Sequence, residues 1–210
     1  MLKILIADDH SIVRQGLRQI VTETQDMIVA GEASDGQELL NIMSKGDYDV
    51  VVLDITMPYI NGMDALKELR TKWPKLPVLM LSIHPEEHYA LRALKAGASG
   101  YLTKESAPDE LVVAIRKVSR GGKYISPSLA EKLAFELEVG HEQAPHEALS
   151  DREYQVLCMI ASGKTVMEIA QELTLSEKTI STYRSRILDK MSMKNNAELT
   201  YYAIKNQLVD

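Results

Sequence analysis

Apolar and polar positions alternate in blocks along the first 120 residues. Short apolar runs recur in KILIADD, MIVAGEAS, VVVLDI, PVLMLSI and SGYLTK. Between them, Ile12, Leu17, Ile20 and Val21, then Ala65, Leu66 and Leu69, follow the spacing of an amphipathic helix face. Strands alternating with helices predict a parallel sheet covered by helices on both faces. The most apolar runs read as central strands, buried on both sides.

The pattern changes after residue 120. GGKYISPS is turn-rich, SLAEKLAFELEV reads as a helix, and GHEQAPHEA is polar, so residues 121–148 are expected to form a linker containing one helix. Residues 149–210 read as all-helical. Ser150 and Glu153 form a capping box ahead of Tyr154, Val156, Leu157 and Ile160, and Gly163 ends that helix. Further helices are predicted at about Val166–Leu173 and Ser176–Met191 and from about Asn196.

Composition narrows the class. A 45% apolar and 26% charged chain of 210 residues fits a globular protein with one large or two ordinary domains. One cysteine, Cys158 in VLCMIA, excludes an internal disulfide framework and suits a reducing compartment as a small core residue. No apolar run approaches a membrane span, and MLKILIADDH reaches two acids too early for a signal peptide, so a cytoplasmic location is expected. The net charge of −6 is uneven: residues 150–210 balance, and Ser176–Lys194 carries Lys178, Arg184, Arg186, Lys190 and Lys194 against Glu177 and Asp189.

Candidate chemistry gathers at the ends of the apolar runs. In an open parallel sheet, ligands bind beyond the carboxyl ends of the strands. The polar residues there are Asp8, Asp9, Asp54, Ser82 and Lys104, and a strand order of 2-1-3-4-5 brings them to one crevice. Three adjacent carboxylates repel one another unless a cation joins them, and oxygen-only ligands suit Mg²⁺. Asp54 is then placed as a nucleophile toward a phosphoryl group, with Lys104 pairing one phosphoryl oxygen and Ser82 donating to another. Taken singly, each residue has a plainer reading as a turn former, helix cap or solvated loop residue. His84 and His88 in IHPEEH have helical metal-pair spacing, but no third ligand accompanies them. His10 either tunes the acid pocket or faces solvent, and His141 and His146 lie in the polar linker.

ILIADDH, VVVLDITMP, VLMLS and GYLTK together resemble the receiver domain of bacterial response regulators over residues 1–120. The resemblance implies a flavodoxin-like doubly wound (βα)5 fold and phosphoryl transfer from the phosphohistidine of a sensor histidine kinase to Asp54. It implies Mg²⁺ held by Asp8, Asp9, Asp54 and the Thr56 carbonyl, a switch pair of Ser82 and Tyr101, and tuning of hydrolysis by Thr56 and His84. Tyr101 is expected to turn inward when phosphorylation draws in the Ser82 hydroxyl. Many receivers carry proline directly after the lysine, where this chain has Glu105; Pro108 comes later, suiting a helix first turn.

TVMEIAQELTLSEKTISTYRSRI reads as helix, turn, helix, with Ile169, Leu173 and Leu175 at the junction and Ile180 and Ile187 on an apolar stripe. Lys178, Ser181, Thr182, Arg184 and Ser185 fall on the other side, and hydroxyls and bases near a helix start suit major-groove contacts. For a generic helix, a basic face is simply solvated. The segment is similar throughout to the four-helix DNA-binding domain of the NarL/FixJ (LuxR-type helix-turn-helix) family, and TISTYRSR resembles the BvgA, EvgA and GacA subgroup. That likeness implies promoter DNA as ligand, contacts from Lys178, Thr179, Ser181, Thr182, Arg184 and Ser185, a homodimer on activation and RNA polymerase as a partner.

Two other classes compete. A haloacid-dehalogenase-like phosphatase also uses an aspartyl nucleophile, but its second acid falls at Thr56 here. An interaction module that is never phosphorylated would keep the pocket for shape alone. The expected reading is a non-enzymatic regulator whose only chemistry is its own phosphorylation and dephosphorylation.

Overall fold

The computed structural model describes residues 1–83, 86–127, 129–131 and 144–209, and gives only the backbone of Glu87 and His88. His84, His141, the His88 side chain and most of the helix expected at 128–139 therefore lie outside the described residues. The chain divides into two compact units, Met1–Glu131 and Lys132–Asp210.

In the first unit, β1 (Leu2–Ala7), β2 (Met27–Ala33), β3 (Val50–Asp54), β4 (Val78–Ser82) and β5 (Gly100–Thr103) form one sheet in the order β2-β1-β3-β4-β5. Every pairing is parallel. The connections are α1 (Ser11–Thr22), α2 (Gly36–Met43), α3 (Gly62–Lys72) and α4 (Glu86–Lys95), and α5 (Ala107–Ser119) closes the unit. The central strands β3 and β4 are buried at every position, as expected for strands covered on both faces. Ile4, Ile6, Val50, Val52, Leu79 and Leu81 pack with Leu17 and Val21 of α1 and Leu111, Ile115 and Val118 of α5. Val51 and Leu53, one residue out of step, are buried against the other face.

The α1 face differs from the expectation at its first position. Ile12 is 82% exposed, and Val13 packs against the core instead. Val13, Leu17, Ile20 and Val21 fit the i, i+4, i+7, i+8 repeat better than a stripe begun at Ile12.

The segment expected as linker begins by docking on the first unit. Tyr124 forms a parallel bridge with Gly100; its N–H donates to the Ser99 carbonyl at 2.9 Å, and its own carbonyl accepts from Tyr101 N–H at 3.2 Å. Glycine is needed opposite, since a Cβ on Gly100 would stand 2.6 Å from the Tyr124 carbonyl oxygen. The Tyr124 hydroxyl donates to Glu110 at 2.8 Å, and burial together with that carboxylate raises the phenol pKa to about 12.

Among its described residues, the second unit has a 3-10 turn, Pro145–Ala148, followed by α6 (Asp151–Ala161), α7 (Val166–Glu172), α8 (Glu177–Met191) and α9 (Asn196–Lys205). All four helices have side-chain N-caps, from Ser150, Thr165, Ser176 and Asn195. The first two are complete capping boxes with Glu153 and Glu168, each satisfying two backbone donors that a helix start leaves unpaired. Leu157, Ile169, Leu173, Ile180, Ile187, Leu199 and Ala203 are buried. Thr174 takes a left-handed φ of 54° in the turn between α7 and α8. His146, read from sequence as linker, lies in this unit and pairs with the Tyr202 hydroxyl at 2.8 Å. Among the described residues, no helix is long and apolar enough to cross a membrane.

Candidate functional site

The carboxyl ends of β1, β3, β4 and β5 converge as the strand order requires. Asp8 and Asp9 follow β1, Asp54 ends β3, Ser82 ends β4 and Lys104 follows β5. Asp8, Asp54 and Ser82 are buried, with exposures of 0%, 1% and 0%. The Lys104 ammonium spans two of the acids, 2.8 Å from Asp54 Oδ2 and 2.6 Å from Asp8 Oδ2. The first contact is an aligned hydrogen bond; the second is a charge contact out of line for one, since Asp8 Oδ2 has no hydrogen-bond partner.

Electrostatics follow from burial. Desolvation, then repulsion from Asp8, pushes the Asp54 carboxyl up from 3.8 to about 7, although Lys104 and the Thr56 N–H both act in the opposite direction. Burial works against the Lys104 charge, but Asp54 and Asp8 outweigh it and hold the ammonium above its ordinary pKa. One oxygen or nitrogen each from Asp8, Asp9, His10 and Asp54 lies within 4.8 Å of the others. Lys104 pairs with Asp8 and Asp54, Asp9 lies beside them, and this donor set fits a divalent cation, whose charge would favour ionised Asp54.

Backbone supports the pocket. Gly62 N–H donates to the Ile55 carbonyl at 2.9 Å, and a Cβ on Gly62 would fall 1.9 Å from the Asp54 carbonyl oxygen, so only glycine admits this approach. Thr56 N–H lies 3.3 Å from Asp54 Oδ1, and the Thr56 hydroxyl oxygen is buried without a hydrogen-bond partner. Glu105 sits in a turn that Thr103 secures: its hydroxyl accepts from Ser106 N–H at 3.1 Å, just before α5. Proline after the lysine is therefore not needed to shape this turn. Arg14, which sequence reasoning passed over, donates to the Asp8 carbonyl at 2.6 Å.

Tyr101 is buried, at 2% exposure, and lines a cavity of about 380 Å³ with Glu86, Thr103, Ser106, Glu110 and Ser126.

On α8, Lys178, Ser181, Thr182 and Ser185 are all exposed and share one face at i, i+3, i+4 and i+7. Two of the bases already have partners within the unit. Arg184 Nε donates to Asn196 Oδ1 at 2.5 Å, and Lys190 pairs with Glu153 at 2.6 Å. Thr179 serves the helix start, its N–H donating to Ser176 Oγ at 3.1 Å, and the Thr182 hydroxyl donates back to the Lys178 carbonyl at 2.9 Å. Arg186, counted in the local charge but not among the candidate contacts, is exposed one turn beyond Thr182.

Comparison with known proteins agrees with this architecture. Residues 4–116 match the response regulator receiver domain family, and residues 147–203 match the bacterial regulatory proteins of the luxR family. Response regulator UvrY of Escherichia coli K12 is 37% identical over 209 residues, covering 99% of this chain and 96% of that protein. Response regulator GacA of Pseudomonas protegens is 38% identical over 211 residues, covering 100% and 99%. Among solved structures, the RcsB response regulator of Salmonella typhimurium aligns with a TM-score of 0.68 at 28% identity, covering 98% of each chain. RcsB of Salmonella enterica serovar Typhimurium bound to promoter rprA with the phosphomimetic BeF3⁻ aligns at 0.65 and 29% identity, covering 96% of this chain and 98% of that one. A parallel five-stranded unit with an acid pocket at its strand ends, joined to a helix-turn-helix unit, thus places this chain in the two-component response regulator family with a LuxR-type DNA-binding domain, in the GacA-like subgroup.

Proposed function

We propose that Asp54 accepts a phosphoryl group from the phosphohistidine of a sensor histidine kinase, and that the phosphorylated chain binds promoter DNA as a homodimer. The observation that carries this reading is the Lys104 ammonium held between Asp8 and Asp54 at the end of β3. A cation fixed beside a buried carboxylate is placed to receive a phosphoryl oxygen as charge spreads in transfer.

An Asp54 carboxylate oxygen attacks phosphorus, the P–N bond to the donor imidazole breaks, the imidazole takes up a proton, and an aspartyl phosphate results. Lys104 then pairs with one phosphoryl oxygen, and the Ser82 hydroxyl donates to another. Asp8, Asp9, Asp54 and the Thr56 carbonyl would hold Mg²⁺, which when bound supplies positive charge opposite the incoming phosphoryl oxygens. Thr56 and His84 are assigned to tuning hydrolysis of the acyl phosphate, and Tyr101 completes the switch with Ser82. The receiver spans residues 1–120, residues 121–148 are the connection, and residues 149–210 bind DNA.

In the helical unit, α8 enters the major groove. Lys178 and Arg184 contact phosphates, Ser181, Thr182 and Ser185 face base edges, and Thr179 holds the helix start. Two half-sites occupied by a dimer give the specificity one small unit lacks. The chain acts in the cytoplasm and passes its signal to RNA polymerase. Incubation with acetyl phosphate and Mg²⁺ tests the core of this reading by intact-mass measurement. A phosphoryl adduct on wild type and none on Asp54→Asn is expected; an equal adduct on both would remove Asp54 from the acceptor role.

A further inference from the structure

His10 is the N-cap residue of α1, in extended conformation, yet its side chain makes no capping hydrogen bond. The imidazole turns to the acids instead. Nδ1 lies 2.7 Å from Asp9 Oδ1 and 3.3 Å from Asp8 Oδ1. The His10 backbone N–H donates to the same Asp8 Oδ1 at 2.8 Å, which fixes the root of the side chain beside the pocket.

The pocket has two sides. Lys104 takes the Oδ2 atoms of Asp8 and Asp54, while His10 sits with the Oδ1 atoms of Asp8 and Asp9. Donors on adjacent corners of an octahedron with metal–ligand bonds of about 2.1 Å stand about 3.0 Å apart. The two His10 separations, 2.7 and 3.3 Å, bracket that edge length. The ring is 61% exposed, so water can satisfy an Nε2–H while Nδ1 keeps its lone pair for the pocket.

We propose that His10 is a ligand of the divalent cation through Nδ1, which makes this a mixed nitrogen and oxygen site. The inference rests on reading the acid pocket as a cation site. Oxygen-only sites suit Mg²⁺; an imidazole raises affinity for Fe²⁺, Co²⁺, Ni²⁺ and Zn²⁺ relative to Mg²⁺. His10 thereby tilts the choice of metal, and the plainer reading, an imidazole that only neutralises the acids, makes no such difference.

The test uses full-length protein and Co²⁺. Proton NMR of the Co²⁺ form is expected to show an exchangeable, strongly shifted imidazole N–H resonance that disappears in both His10→Ala and Asp9→Asn and persists in His84→Ala. Calorimetry is expected to show Co²⁺ affinity at least about tenfold weaker in His10→Ala, with Mg²⁺ affinity changed less. Thermal unfolding with and without Mg²⁺ checks that the variant is folded. Co²⁺ bound without a shifted imidazole signal, or with one that survives in His10→Ala, overturns the inference and leaves the cation site standing. Failure of wild type to bind either ion overturns both.

Discussion

The Lys104 backbone N–H donates to the Ser82 carbonyl oxygen at 2.7 Å, so the lysine proposed to bind the phosphoryl group is pinned to the residue that bears the proposed switch hydroxyl. The link uses main chain only, and either side chain can be removed without breaking it. Ser82→Ala should therefore leave Lys104 in place and phosphorylation intact, while weakening the response in dimerisation and DNA binding. Sedimentation and DNA titration of the phosphorylated variant check this; an output equal to wild type would sink coupling through the Ser82 hydroxyl.

Removing the lysine charge has a different effect. Lys104→Met leaves Asp8 and Asp54 buried and facing each other without a cation. Phosphoryl transfer should be lost, and the Asp54 carboxyl should rise further above about 7. Urea unfolding should show the variant more destabilised at pH 8 than at pH 6, because ionising two unpaired buried acids is what costs.

The raised Asp54 pKa fixes a sign for the pH dependence. Its folded value, about 7, lies above the ordinary 3.8, so the folded chain binds more protons between those values. The contribution to stability is full below about pH 4 and is lost as pH rises through about 7. In the absence of divalent cation, Asp54→Asn should flatten that part of the stability curve. A cation binding the carboxylate should displace about half a proton near pH 7, readable by calorimetry in buffers of different ionisation enthalpy.

Asp9 differs from Asp8 and Asp54 in being partly exposed, with 32% of its side chain accessible. Asp9→Asn should fold normally, lose the Mg²⁺-induced rise in melting temperature and resist phosphorylation. Normal phosphorylation of this variant in chelator would remove it from the cation site.

For DNA, the hydrogen bonds on α8 separate two bases that look equivalent in sequence. Lys178→Ala should weaken all sites and reduce the salt slope by about one unit. Arg184→Ala should also lower the stability of the helical unit, since Arg184 ties α8 to Asn196. Thr182→Ala and Ser185→Ala should change the selected sequence more than the salt dependence. Selection from a random DNA pool across a salt series distinguishes these outcomes; unchanged sequence preference would mean the recognition face is misassigned.

Strand ends and helix caps were legible because each is written locally. Asp54 closes an unbroken apolar run, and Ser150 with Glu153 announces a helix start. The pairing of Lys104 with Asp54 spans 50 residues and could be reached only through the strand order. Local charge along α8 could be counted from sequence, but not that Asn196 and Glu153 bond to Arg184 and Lys190. The burial of Tyr101 could not be read from sequence, since it depends on what packs around β5.

The Tyr124 bridge has a consequence for how the receiver can be cut from the chain. β5 is the last strand of the sheet, and Tyr124 supplies its outer hydrogen-bonding neighbour at Tyr101 N–H. Open strand margins recruit other chains and aggregate unless something blocks them. A fragment ending at residue 120 would bare that margin, whereas one running through Ser126 would keep it shielded. Residues 121–126 therefore act as a selvedge to the sheet, and domain-level experiments on this receiver need them attached.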